Sequence, residues 1–149
     1  ANSSSISDGA AALVLASESA ARAKGLKPLA RIVGYASHAQ EPEWFTTAPV
    51  GAIRRLLDRT GWKASEVDLY EINEAFAVVT MVATMELNLD PARVNVNGGA
   101  CALGHPVGAT GARILTTLVH ALARRGQKRG IAALCIGGGE ATAVAVEML

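Results

Sequence analysis

Residues 97–115 read NGGACALGHPVGATGARIL, and the fold turns on how this stretch is parsed. A loop rich in glycine carries His105 between Gly104 and Pro106. An apolar helical pattern follows from about residue 108 to residue 124 and stops at Gly126. Between residues 109 and 123 only Arg113 and His120 are strongly polar, and apolar side chains fall nearly all round the helical wheel. A helix apolar on every side is buried on every side. A single sheet layer covers one side only, so the far face needs a second layer, from another part of a longer chain or from a partner subunit. Gly108, Ala109, Gly111 and Ala112 are small enough to let another backbone approach.

Outward from this helix, continuous apolar runs predict buried strands at residues 11–16 (AALVLA), 30–36 and 131–136 (IAALCI). Shorter alternating pieces predict strands at residues 67–72 (VDLYEI), 94–97 (VNVN) and 141–146 (ATAVAV). Helices fall between them. Ser17 can cap a short helix that runs to Lys24 and stops at Gly25. Pro49 opens a helix with Val50, Ile53, Leu56 and Leu57 on one stripe, closed by Gly61. Asn73 can cap a third helix running to about Leu87, with Glu74 well placed by its positive end. Strands alternating with helices predict α/β layers and a mostly parallel sheet.

The 149-residue chain is long enough to bury a real core, and half its residues are hydrophobic while few are aromatic. A formal net charge of +1 gives no basic stripe for nucleic acid and no cationic helix for a membrane surface. No apolar run reaches the roughly 18 residues of a membrane span. ANSSSISDG has neither a basic n-region nor an apolar h-region, so it does not read as a signal peptide. The missing initiator Met reads as a cut end. The two cysteines, Cys101 and Cys135, have no metal-type spacing, and no HxxxH or CxxC pair is present, so neither a metal site nor a disulfide framework is expected. A reduced, cytoplasmic setting is the expectation.

In an open α/β sheet, ligands bind where strand carboxyl ends lead into helices. Three segments put reactive groups at such ends: EINEAFA with Asn73, the glycine loop with His105, and ALCIGGGEA with Cys135. Each has a plain alternative. Asn73 serves equally as an N-cap, His105 as a structural loop histidine, and Cys135 as a small core hydrophobe. Their coincidence at one kind of position favours chemistry. Gly137, Gly138 and Gly139 offer backbone N–H groups suited to an oxyanion hole. An imidazole and a thiol that exchange protons suit acyl or carbanion chemistry on a carbonyl.

At this point the sequence resembles the thiolase family of acetyl-CoA acyltransferases. NSSSISDGAAALVLAS resembles the family's N-A-S-x-x-N-D-G-A-A stretch, and NEAFA matches as it stands. NGGACALGHPVGATGARIL resembles the G-G-A-x-x-x-G-H-P-x-G-x-[ST]-G block, and CIGGGEA the C-x-G-G-G block. NEAFA alone is weak; the GHP block followed by CxGGG is highly specific. A ketosynthase, a related condensing enzyme, would use two histidines or a different His/Asn pattern at these positions. The resemblance implies an α/β thiolase-like fold in which this chain is the C-terminal half, with a mixed, mostly parallel five-stranded sheet covered by helices. Residues 1–28 would be the tail of the N-terminal half, its last strand and a linking helix, and residues 29–149 the C-terminal domain.

The resemblance also implies roles. His105 would activate a nucleophilic thiol and help hold the thioester oxygen, and Asn73 would position a water that completes this first oxyanion hole. Cys135 would be the acid/base at the α-carbon, and the Gly137 N–H would serve a second oxyanion hole. Ser4, Ala75 and Phe76 would contact the pantetheine arm of coenzyme A, with Phe45 beside the acyl group. No prosthetic group is implied; coenzyme A and acyl-CoA are substrates. The family's acylated cysteine has no counterpart here, since Cys135 holds the acid/base position and Cys101 lies where an apolar residue is usual. The implied partners are therefore the missing N-terminal half and, in a homo-oligomer, further copies as a dimer or tetramer, with no nucleic acid and no membrane. The rival is a non-catalytic thiolase-like binding or assembly module.

Overall fold

The computed structural model describes residues 2–149. The elements run α1 (Glu18–Ala23), β1 (Ala30–Ala39), α2 (Ala48–Thr60), β2 (Leu69–Ile72), α3 (Ala77–Glu86), α4 (Ala100–Leu103), α5 (Thr110–Arg125), β3 (Arg129–Ile136) and β4 (Glu140–Met148). Local signals account for several bounds. The Ser17 hydroxyl accepts from the Ala20 N–H at 3.2 Å and caps α1. Pro49 sits in the first turn of α2, where its missing N–H costs nothing. Gly61 and Gly126 end α2 and α5 in the left-handed region, with φ of 71° and 63°.

A mixed sheet of four strands in the order β1-β4-β3-β2 forms the central layer. β2 and β3 pair in parallel; β1–β4 and β3–β4 are antiparallel. The α/β layering is as expected, but the sheet has four strands rather than five, and one of its three pairings is parallel. The missing strand is residues 94–97. Only Val94 bridges to Tyr70, and then Asn95 turns out of the ladder at φ 48°. Its carboxamide takes over the pairing: Oδ1 accepts from the Ile72 N–H and Nδ2 donates to the Ile72 carbonyl, each at 2.8 Å. One side chain thus satisfies the backbone that another strand residue would have paired.

The two sheet faces differ. On one, α2 buries Ala48, Ala52, Ile53 and Leu56 against Val67, Tyr70, Ile72, Ile131, Ala133 and the alanines of β4. On the other, α5 buries Ile114, Leu118, Ala121 and Leu122 against Leu69, Ala132 and Val146. The outer side of α5, predicted to be covered, is half-buried or exposed. Leu115 and Val119 there line a cleft of about 850 Å³ together with residues 12–16.

Two further expectations need correction. Residues 11–16 form no strand, and Val14 and Leu15 are 92% and 71% exposed. An apolar run becomes a strand only where a neighbour offers its backbone groups, and among the described residues none does. Asn73 is not an N-cap: α3 begins at Ala77 with Phe76 at its cap position. Residues 73–76 are instead spent connecting the sheet edge to neighbouring loops.

Candidate active site

The carboxyl ends of the parallel pair β2–β3 define the site. Beyond Ile72, the Asn73 N–H still donates to the Ala133 carbonyl at 2.9 Å, extending the β2–β3 pairing by one residue. This pins Asn73, which is 1% exposed, one residue short of the level of Cys135 on β3. The chain then turns away through Glu74–Phe76.

His105 reaches the same place from the glycine loop. Its N–H donates to the Ser5 carbonyl at 2.8 Å, so the N-terminal segment fixes the loop backbone. Gly104, at φ 91°, allows this approach, because a Cβ there would collide with the Ser7 hydroxyl. The ring is held by Thr110 Oγ1, 2.8 Å from Nδ1, and Nε2 lies 3.5 Å from Asn73 Nδ2. Burial, with the nearby Arg113 cation, lowers the His105 pKa. Both effects favour the neutral imidazole, the form a base requires.

The same N-terminal segment clips the NEAFA loop. Both the Ser4 N–H and the Ser4 hydroxyl donate to the Ala75 carbonyl, at 3.2 and 3.0 Å, and the Ala77 N–H donates to the Asn2 carbonyl at 2.9 Å. Phe76 meets Phe45 edge-to-face, with ring centroids 6.0 Å apart. Ser4, Ala75, Phe76 and Phe45 thus form one continuous patch beside Asn73.

Cys135 is the penultimate residue of β3, its side chain half-buried against the α2 face. Burial pushes its thiol up in pKa, with a backbone hydrogen bond opposing. It stands at the same sheet end as Asn73, although among the described residues no hydrogen bond joins it to Asn73 or His105. Gly137 follows in the β3–β4 turn, with open space where a Cβ would stand. That turn is tied to β1 by the Gln40 N–H donating to the Gly139 carbonyl at 3.1 Å. The Gln40 side chain also donates to Thr47 Oγ1 at 2.7 Å, fixing the segment that carries Phe45.

Sequence reasoning missed the polar groups behind the site. Glu71, 2% exposed, faces Arg113 across 3.7 Å, and Arg113 Nη2 lies 3.4 Å from Asn73 Oδ1. Burial raises the Glu71 pKa to about 7, opposed by Arg113 and assisted by Glu74. The available signal was a charge inside an apolar strand pattern, LYEI, and a lone arginine on an apolar helix. Glu74, expected at the start of the helix after Asn73, instead accepts from the Cys101 N–H at 3.1 Å and from Asn95 Nδ2 at 3.3 Å. Its carboxylate fills the space over Gly99, which no larger residue could occupy without displacing it.

The family model for "Thiolase, C-terminal domain" matches residues 26–148. The chain belongs to the thiolase family. Among its relatives, the "Acetyl-CoA acetyltransferase" of Schizosaccharomyces pombe is 52% identical over 99% of this chain and 37% of its own length. A crystal structure of the Bacillus anthracis acetyl-CoA acetyltransferase, 50% identical, superimposes with a TM-score of 0.97 over 99% of this chain and 38% of that one. The Acat5 thiolase of Ascaris suum in complex with coenzyme A is 48% identical, with a TM-score of 0.85 over 90% of this chain and 35% of that one. This thiolase chain therefore spans less than two-fifths of the length of each of these relatives.

Proposed function

We propose that this chain provides the C-terminal part of a thiolase active site, acting in reversible acyl transfer and Claisen condensation or thiolytic cleavage of 3-oxoacyl-CoA. The supporting observation is the convergence of Asn73 and His105 at the carboxyl end of β2, on loops clipped by one N-terminal segment. The family's nucleophilic cysteine comes from an N-terminal half to which residues 1–28 belong, and residues 29–149 form the C-terminal domain. Further copies complete a homo-oligomer. Coenzyme A and acyl-CoA are substrates, and no prosthetic group takes part.

In the first half-reaction His105 Nε2 takes the proton of the nucleophilic thiol, and the thiolate attacks the acyl-CoA carbonyl. The developing oxyanion is held by the protonated imidazole and by a water on Asn73. Coenzyme A then leaves and recovers the proton. In the second, the Cys135 thiolate removes an α-proton from acetyl-CoA, and the carbanion attacks the acyl-cysteine while the Gly137 N–H holds that carbonyl oxygen. The 3-oxoacyl-CoA product departs, and the freed nucleophile regains the proton that Cys135 took. Burial disfavours the thiolate of Cys135, which makes it a strong base once formed. Ser4, Ala75, Phe76 and Phe45 line the pantetheine and acyl path.

His105→Ala and Cys135→Ala in the complete enzyme test these roles. Each is expected to lower condensation by about 10³-fold, the scale of a lost acid or base, with the melting temperature little changed. Turnover close to wild type in either variant would refute the assignment and favour a binding module.

A further inference from the structure

Arg113 is the one strong cation on the inner stretch of α5, and it is 19% exposed at its side chain against a Glu71 only 2% exposed. We propose that Arg113, anchored on Glu71, is a positioning residue that orients the Asn73 carboxamide and thereby fixes which nitrogen of His105 is the base. The proposal rests on the thiolase reading of the site.

The orientation follows from donor and acceptor counts. A guanidinium only donates, so the Asn73 atom 3.4 Å from Arg113 Nη2 is the carbonyl oxygen. The Asn73 NH₂ group is thereby turned toward His105 Nε2, 3.5 Å away. Facing a donor, Nε2 is the bare nitrogen and the ring proton sits on Nδ1. Nδ1–H donates to Thr110 Oγ1 at 2.8 Å, and the Thr110 hydroxyl donates in turn to the Pro106 carbonyl at 3.2 Å. Each residue in the series Glu71–Arg113–Asn73–His105–Thr110–Pro106 then has at least one compatible neighbour, an ion pair at its first link and donor–acceptor pairs thereafter. With the amide reversed, its carbonyl would face Nε2 and favour the tautomer protonated there, which is no base toward a thiol.

The contact between Asn73 and Nε2 is long, and this suits the chemistry. Once Nε2 has taken a proton, Nε2–H and the Asn73 NH₂ are two donors side by side, and an oxygen or a bound water can be shared between them. Arg113 also bears on charge. His105 is faced by Asn73, Thr110 and Arg113, and Glu71 by Arg113 and Glu74. The arginine's positive charge opposes a second cation on the ring, in the same direction as burial.

Kinetics of three variants in the complete enzyme, with His105→Ala as control, test this. Arg113→Met is expected to lower kcat for condensation by about 10²-fold, the scale of a misplaced catalytic group, with KM for acetyl-CoA within about threefold. Its acid limb in kcat/KM against pH should move to higher pH, because the cation that opposes imidazole protonation is gone. Arg113→Lys keeps the charge and loses the fork, so its acid limb should stay in place while kcat falls at least about tenfold. Glu71→Gln keeps the shape of the anchor and should lower kcat less than either. If Arg113→Met does not fold, the lysine and glutamine variants carry the test. An unmoved acid limb in Arg113→Met, or kcat within about threefold of wild type in Arg113→Lys, overturns the proposal. Should His105→Ala itself turn over normally, the reading of the site fails instead, whatever the arginine variants do.

Discussion

The two faces of the sheet solve different problems. The α2 face is dry: Ala48, Ala52, Ile53 and Leu56 are fully buried, and its alanines let helix and sheet approach closely. The α5 face buries Ile114, Leu118 and Leu122 as tightly, but the same helix also carries Thr110 and Arg113 to the sheet end and leaves Leu115 and Val119 on an open cleft. The α2 face spends most of its buried residues on packing, with the Cys135 thiol lying against it, while the α5 face divides them between packing and polar contacts. A layer committed to packing gains stability per side chain. Imperfect satisfaction is concentrated on the α5 side, where Arg113 Nε and Nη1 and Glu71 Oε1 lack hydrogen-bond partners, while the α2 side leaves His38 Nδ1 unpartnered against Gly51.

Substitutions sharpen this contrast. The largest stability effect belongs on the dry face. Ile53→Ala, 0% exposed in the wild type, should cost about 3 kcal/mol in denaturant unfolding while kcat per folded enzyme holds. A fall in kcat there would break the division between the faces.

Asn95 sits on the border, and its loss should touch both functions. Asn95→Ala removes the acceptor of the Ile72 N–H and the shorter of two donors to its carbonyl, leaving that of Thr80 Oγ1 at 3.4 Å, and should cost about 2 kcal/mol. Ile72 immediately precedes Asn73, so kcat should fall as well. Loss of stability with full activity would place Asn95 with the packing residues alone.

The smallest effect is a slope. The fold raises the Glu71 pKa from 4.5 to about 7, so the folded state binds the proton more tightly than the unfolded state. The contribution of Glu71 is thus fully present below about pH 4.5 and is lost as the pH rises through about 7. Glu71→Gln should flatten that part of the stability curve. An unchanged slope would mean that Glu71 titrates alike in both states.

The sequence disclosed the helices best where they carry their own stop signals. Pro49, Gly61 and Gly126 bracket α2 and α5 closely, because caps and left-handed glycines act locally. The site loops are legible as motifs: Asn73 and His105 stand out as polar groups at strand ends, and Ser4, Ala75, Phe76 and Phe45 follow only from the family resemblance. What stayed hidden depends on distant partners. Residues 94–97 alternate as a strand does, yet Asn95 uses its side chain to end the ladder, which no periodicity reveals. Residues 11–16 have the composition of a buried strand and stand exposed, because composition does not specify the neighbour. Glu71 and Arg113 lie 42 positions apart, and only folding sets them side by side.

The central claim is that the imidazole and the carboxamide of this chain meet one thioester. A crystal structure of the complete enzyme trapped with acetyl-CoA tests it most directly. The account predicts the thioester oxygen about 3 Å from His105 Nε2, with Asn73 reaching it through a single water and Cys135 facing the α-carbon. A thioester seated away from the carboxyl ends of β2 and β3, with His105 and Asn73 touching neither it nor its water, would contradict it.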